Sequence, residues 1–263
     1  MAVEMWNYQP LHHTIVATDV VGSGTRDDQL LLRMRGDLRA ILTSVLGQQS
    51  LDFTAMHHDD LGDGIRLVVP AAVTPRAMLD PFVPNLDASL REHAKLASVA
   101  NRLRLRVAVH TGLLHLDGGA WAGEPMVHCA RLLDAGAVRQ ALRLNPSAHL
   151  ALVVSQTVYD AVVRHGYGLD PAAYREVSIR EKETSATAWI HLPGCREPVW
   201  PDGTEAPVTP SPVAPSPANV RIQHNTAHDH GVVFAVQDGQ QHIHLPAPAN
   251  PPPDHRPGHE QQE

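Results

Sequence analysis

Residues 13–20 (HTIVATDV) form a short apolar, β-branched run that stops at Gly22-Ser23-Gly24, the pattern of a buried strand entering a tight turn. A helix is predicted directly after it. Thr25 is placed to cap that helix, Asp27 and Asp28 lie in the first turn where the dipole favours carboxylates, and Leu31, Met34, Leu38, Leu42 and Val45 recur at helical spacing. Residues 51–58 and 65–69 read as two strands around Asp59-Asp60-Leu61-Gly62-Asp63-Gly64, a hairpin whose tip carries three carboxylates. A helix is clearest over 85–102. Residues 103–110 then alternate as a half-buried strand, with 113–116 read as its returning hairpin partner. Residues 124–144 have one continuous helical period through Met126, Ala130, Leu133, Val138 and Leu142, with Pro125 in the first turn. A strand (150–154), a short helix (156–164) and two strands (174–180 and 186–192) complete the region. Hairpins interrupt the strand–helix alternation, so the expected class is α+β with a mixed or antiparallel sheet.

The period fades after residue 197. Of 22 prolines in the 263-residue chain, 13 lie from Pro198 onward, which argues against two equal globular domains. The expected organisation is one domain over 1–197, a Pro-rich linker over 198–219, a β-prone segment over 220–245 and a Pro-rich disordered tail over 246–263. About 26 residues between two proline tracts are too few for a core of their own.

Charge narrows the function classes. Residues 1–197 carry a net −2 and residues 198–263 a net −5, so neither part has the basic excess of a phosphate-gripping nucleic-acid binder. The alternating Arg102, Arg104 and Arg106 share a strand face that could meet an acidic partner or simply be solvated. Cys129 and Cys195 fit neither a zinc pattern nor a disulfide framework, and no run of 18 apolar residues or signal-like N-terminus occurs. A cytoplasmic protein without membrane or nucleic-acid partners is expected. Tail pairs such as His228/His230 and His242/His244 could present imidazoles to zinc or copper, but no four-ligand spacing accompanies them.

The strongest chemical constellation pairs Asp19, at a strand end, with Asp63 at the hairpin tip. Two carboxylates from neighbouring strand ends suit a hard divalent cation such as Mg²⁺, and the Gly22-Ser23-Gly24 amides ahead of a helix add an anion cradle. The plainer alternative is a strand-end cap and a turn residue. The order of segments weighs against that alternative. A strand ending in TDVVGS, a helix, a hairpin with LGDG, a helix, a strand ending in RVAVHTG and a G-x7-R-L helix together resemble the class III adenylate/guanylate (nucleotide) cyclase homology domain over roughly 13–192.

The resemblance implies a ferredoxin-like cyclase fold, a head-to-tail homodimer and an active site between protomers. It implies that Asp19 and Asp63 hold two Mg²⁺ or Mn²⁺ ions, that Val20, Val21, Gly22 and Ser23 meet the phosphates of a nucleoside triphosphate, and that Lys182 reaches the terminal phosphates. Arg131 would stabilise charge on the α-phosphate as the ribose 3′-oxygen attacks and pyrophosphate leaves. Taken alone, Arg131 is an ordinary helix arginine and Lys182 a surface hairpin lysine. Three positions depart from the family pattern. Asp59 stands where a base-selecting lysine is usual, Ala120 where its Asp or Thr partner is, and Val127, followed by His128, where a transition-state asparagine is. An acidic Asp59 would accept from an exocyclic amine, or would add repulsion toward phosphate.

Two functions therefore stand side by side: a metal-dependent nucleotide cyclase, and a catalytically impaired homologue acting as a nucleotide-sensing signalling adaptor. The adaptor reading draws on residues 220–245, where Asn225, Gly231, Val233, Gln237, Gly239 and Ile243 resemble bacterial amyloid-signalling motifs and imply self-assembly or a signalling partner. A disordered tail with a weak hairpin is the alternative.

Overall fold

A computed structural model describes residues 10–117 and 119–205. The expected β-prone segment at 220–245, the tail at 246–263 and most of the linker lie outside the described residues.

Eight strands form one mixed sheet: β1 (Leu11–Val20), β2 (His57–Asp60), β3 (Ile65–Val69), β4 (Leu105–Asp117), β5 (Ala120–Ala122), β6 (Leu150–Ser155), β7 (Tyr174–Glu181) and β8 (Thr184–His191). Their order is β2-β3-β1-β4-β6-β8-β7, with β5 paired to the far end of β4. Only β4 and β6 run parallel. Every residue of β6 is buried, because a central parallel strand is covered on both faces and reads as a continuous apolar run.

Five helices cover the sheet: α1 (Asp28–Gly47), α2 (Phe82–Leu96), α3 (Glu124–Leu133), α4 (Gly136–Leu144) and α5 (Gln156–Ala161). Alternation along each strand sorts the core into two layers. Val16, Val20, Leu105, Val107 and Val109 face α1, α2 and α5 through Met34, Leu38, Leu86, Leu90 and Val158. Ile15, Ala17 and Ala108 face α3 and α4 through Met126, Cys129, Leu132, Val138 and Leu142. By the same parity Asp19 and Arg106 belong to the α3/α4 side.

Four expectations are corrected. The α1 N-cap is Asp27, whose carboxylate accepts from the Leu30 amide at 2.8 Å, while the Thr25 hydroxyl donates to the Gly22 carbonyl at 2.9 Å. The first hairpin strand is only His57–Asp60, so Asp59 and Asp60 sit in the ladder and not in the turn. Residues 113–116 do not return as a hairpin but continue β4, whose real partner is β5. Gly112, between the two segments read as a hairpin, instead admits a close approach: a Cβ there would lie 2.4 Å from Cγ of Pro125 at the start of α3. Lastly, residues 124–144 are two helices. Ala135 is extended and buried between them, and the Gly136 amide that opens α4 donates to Glu181 at 3.0 Å.

The first residues of the expected linker stay on the domain. Asn145 donates to the Val199 carbonyl and accepts from its amide (2.7 and 2.9 Å), and Glu205 exchanges two backbone hydrogen bonds with Glu176 on edge strand β7.

Candidate active site

Asp19 is the penultimate residue of β1 and lies directly across the antiparallel ladder from Arg106 on β4. Arg106 Nε donates to Asp19 Oδ2 at 2.9 Å, its Nη2 donates to the same oxygen, and its Nη1 reaches the Leu133 carbonyl at 3.3 Å. Both side chains are largely buried, at 16% and 12% exposure. Burial pushes the Asp19 carboxyl above the ordinary carboxylate range against the pull of Arg106, and the nearby charges of Asp63 and Asp134 push the same way.

The turn between β2 and β3 brings Asp63 to this strand end. Its carbonyl accepts from the Val20 amide at 3.0 Å, and its Oδ2 accepts from the Ser23 hydroxyl at 2.6 Å. Thr18 fastens β1 to β3, donating to the Ile65 carbonyl and accepting from the Ile65 amide, both at 3.0 Å. Arg35 of α1 donates to the Gly62 carbonyl. The turn is thus held from β1 and from α1. Among the described residues no donor reaches Oδ1 of either Asp19 or Asp63, so each carboxylate keeps one uncommitted oxygen.

Four predicted phosphate contacts surround this pair, with different capacities. The Val20 amide is spent on Asp63 and the Val21 amide on the Arg104 carbonyl at 2.9 Å, so neither is a free donor for an anion. Gly22 and Ser23 amides have no such partner among the described residues. Asp59 lies on β2 opposite Arg66, whose Nε and Nη2 both donate to its Oδ2 (2.9 and 2.6 Å), while His57 Nε2 is 3.4 Å from its Oδ1. Asp59 is therefore a paired carboxylate and not an open one.

The other two predicted residues form a separate group. Arg131 on α3 has its guanidinium 3.7 Å from Glu183, while its Nε is buried without a hydrogen-bond partner. Lys182 stands beside Glu183 in the β7–β8 turn with φ of 52°. No hydrogen bond or ion pair among the described residues joins this group to Asp19 and Asp63.

Sequence reasoning missed Arg106 as the partner of Asp19, and it missed Asp134 and the arginines of α4. The alternating Arg102, Arg104 and Arg106 were the available signal, but their neighbours follow from strand pairing. Arg104 donates to the carbonyls of Ala148, Leu142 and Asn145 at 2.7–2.8 Å.

Beneath α3, His110 is buried on β4, within 2.8 Å of the Ser155 hydroxyl and 4.6 Å, ring to ring, from His128. Burial, aided by His128 and His12, pushes its pKa down to about 4. A histidine held neutral in the fold binds its proton less readily than in the unfolded chain. Stability therefore falls as pH drops from about 6.5 to about 4, and the effect is complete below that window. We expect about 3 kcal/mol of acid destabilisation from this group. It is read as the difference between wild type and His110→Asn in urea unfolding at pH 7 and pH 4.5; equal pH dependence of the two proteins would refute it.

The donor set fits a hard cation. Two neighbouring carboxylates offer one oxygen each and Asp134 adds negative charge, although among the described residues no group of three or more His, Cys, Asp or Glu is placed to hold a metal by itself. An ion held this way completes its shell with water and substrate oxygens, which is the habit of Mg²⁺.

Among the described residues no helix is long and apolar enough to cross a membrane. No protein-family model matches the sequence, and no curated protein matches it. Solved structures do match. The adenylate/guanylate cyclase/hydrolase from Silicibacter pomeroyi aligns with a TM-score of 0.51 at 16% identity, over 71% of this chain and 99% of its own. The guanylyl cyclase Cya2 aligns with a TM-score of 0.50 at 14% identity, over 74% of this chain and 100% of its own. With its mixed sheet and packed helices, the chain has the fold of adenylate/guanylate cyclase domains.

Proposed function

We propose that this domain binds a nucleoside triphosphate together with Mg²⁺ or Mn²⁺ and, as a homodimer, converts it to a 3′,5′-cyclic nucleotide and pyrophosphate. The observation that carries this reading is the Asp19–Asp63 pair, held at adjacent strand ends beside Gly22 and Ser23 with one oxygen of each carboxylate uncommitted. A bound divalent ion would supply Lewis-acid polarisation of the phosphates and activation of the ribose 3′-hydroxyl. Asp19 and Asp63 would hold that ion through their free oxygens, and the Gly22 and Ser23 amides donate to the phosphates. Arg131, with a buried and unpartnered Nε, is suited to donate to the α-phosphate oxygens as charge builds there. Lys182, in the turn beside it, meets the terminal phosphates. Among the described residues no hydrogen bond or ion pair joins the two groups, which supports a site completed by a second copy.

A second reading is favoured by Asp59. Its carboxylate is taken by Arg66 and His57, and Val127, where the family's asparagine is usual, is exposed. A domain without that donor, worth about 2–4 kcal/mol in a transition state, would turn over some hundred- to thousandfold more slowly. It would then sense nucleotide as a signalling adaptor, acting through the chain beyond residue 205.

Incubation of the full chain with Mn²⁺ and, separately, ATP, GTP, CTP and UTP distinguishes the two, with mass-spectrometric detection of cyclic product and pyrophosphate. Cyclic product that is lost in Asp63→Ala supports the enzyme. Metal-dependent binding without product supports the adaptor, and absence of both removes the nucleotide reading altogether.

A further inference from the structure

Beside the Val21-Gly22 turn lies a cavity of about 350 Å³ lined by Arg104, Arg106, Arg139 and Arg143. The four arginines come from two elements far apart in sequence. Arg104 and Arg106 alternate on β4, while Arg139 and Arg143 are one helical turn apart on α4. Val21, Gly22, Gly136 and Leu142 supply the remaining wall.

Charge bookkeeping in this cavity does not close. Arg106 is balanced by Asp19, and Arg139 by Glu181 at 3.6 Å. Arg104 has only carbonyl partners, and its burial lowers its affinity for its proton, as expected of a desolvated cation without a counter-ion. Arg143 forms no ion pair among the described residues. Two positive charges are therefore left over. An i, i+4 pair of arginines also disfavours a nine-residue helix by like-charge repulsion, unless an anion lies between them. A second cavity of about 470 Å³ shares Val21 and Arg104 with the first and adds Arg102 and His149, so the basic surface continues along the sheet end.

We propose that the Arg104/Arg106/Arg139/Arg143 cavity is a binding site for a small phosphate-bearing anion, distinct from the cation site at Asp19 and Asp63. Arginines drawn from β4 and α4 around one cavity offer the guanidinium chemistry that suits phosphate oxygens, and a cavity of this size holds a phosphate or diphosphate. The site needs no metal, so its binding is read without one and apart from nucleotide binding. It also adjoins the proposed nucleotide site, sharing Arg106, which holds Asp19, and Gly22, whose amide is assigned to the triphosphate. Arg106 lines the cavity while holding Asp19, so an anion drawing on Arg106 weakens its grip on the Asp19 carboxylate.

The test is calorimetric titration of the full chain in EDTA with inorganic pyrophosphate and, separately, with glycerol 3-phosphate. Wild type is expected to bind at least one of them, and Arg139→Ala/Arg143→Ala to lose about tenfold or more in affinity. Arg143→Ala alone, an exposed residue without an ion pair, should lose part of it, which keeps the test sound if the double variant folds poorly. Asp63→Ala should bind the anion as wild type does, even where it loses nucleotide. Tighter pyrophosphate binding would mark the leaving group of the proposed reaction as the occupant, and tighter glycerol 3-phosphate binding an independent phosphate ester. Binding of neither anion, or equal affinity in the arginine variants and wild type, would overturn the proposal.

Discussion

Asp63→Ala and Asp19→Ala should both lose Mn²⁺-dependent nucleotide binding, by about a hundredfold or more, but only Asp19→Ala should lose stability as well. Two neighbouring carboxylates that look equivalent as cation ligands are unequal in the fold. Asp63 hangs from a turn, and its carboxylate holds only the Ser23 hydroxyl, while the turn is fastened by backbone contacts to Val20 and Arg35 that an alanine keeps. Asp19 is the counter-ion of Arg106, and removing it leaves a guanidinium only 12% exposed with a single carbonyl as partner. Breaking such a pair from one side leaves an uncompensated charge, which we expect to cost about 2–3 kcal/mol. Urea unfolding and a nucleotide-binding isotherm on the same preparations separate the effects. Combining Asp19→Ala with Arg106→Met should restore most of the stability without restoring binding. If Asp63→Ala bound nucleotide as wild type does, the cation assignment would be wrong.

Gly64→Ala should be the most damaging single substitution near the site. A Cβ on Gly64 would lie 1.9 Å from the Thr18 carbonyl oxygen and 2.9 Å from its carbon, both backbone atoms of β1 that cannot step aside. The clash is relieved only by moving the turn away from β1, which breaks the Thr18–Ile65 pair of hydrogen bonds and the Val20–Asp63 bond together. We expect a loss of more than about 4 kcal/mol, the range reached by overpacking combined with broken buried hydrogen bonds. A midpoint of urea unfolding within about 0.3 M of wild type would show that the turn does not sit against β1 in this way.

The same glycine shows what sequence alone can and cannot say. LGDG reads as a turn because glycine and aspartate are turn residues, and that was right. That its last glycine is required by the approach of another strand could not be read, since the neighbour is 46 residues away. Gly112 failed more plainly. It lies between two segments read as a hairpin and is in fact a gap for Pro125, because a missing side chain serves a bend and a close contact equally well. The helical period over 124–144 was real, but periodicity does not register the interruption at exposed Asp134 and at Ala135, whose buried, extended backbone is set by packing on the sheet.

Local pattern was enough for the α+β class, for most strands and for the helix faces, because burial on a two- or 3.6-residue period is written into consecutive residues. It was also enough to place Asp19 at a strand end and Asp63 in the β2–β3 turn, since turn chemistry and strand ends are short-range. What tertiary structure alone decided is the company those residues keep. Arg106 lies 87 positions from Asp19, Arg66 faces Asp59 across a ladder, and Arg139 and Arg143 meet Arg104 only because α3 and α4 part at Ala135. Which charge meets which is set by strand register and helix placement, and these follow from the packing of the whole sheet.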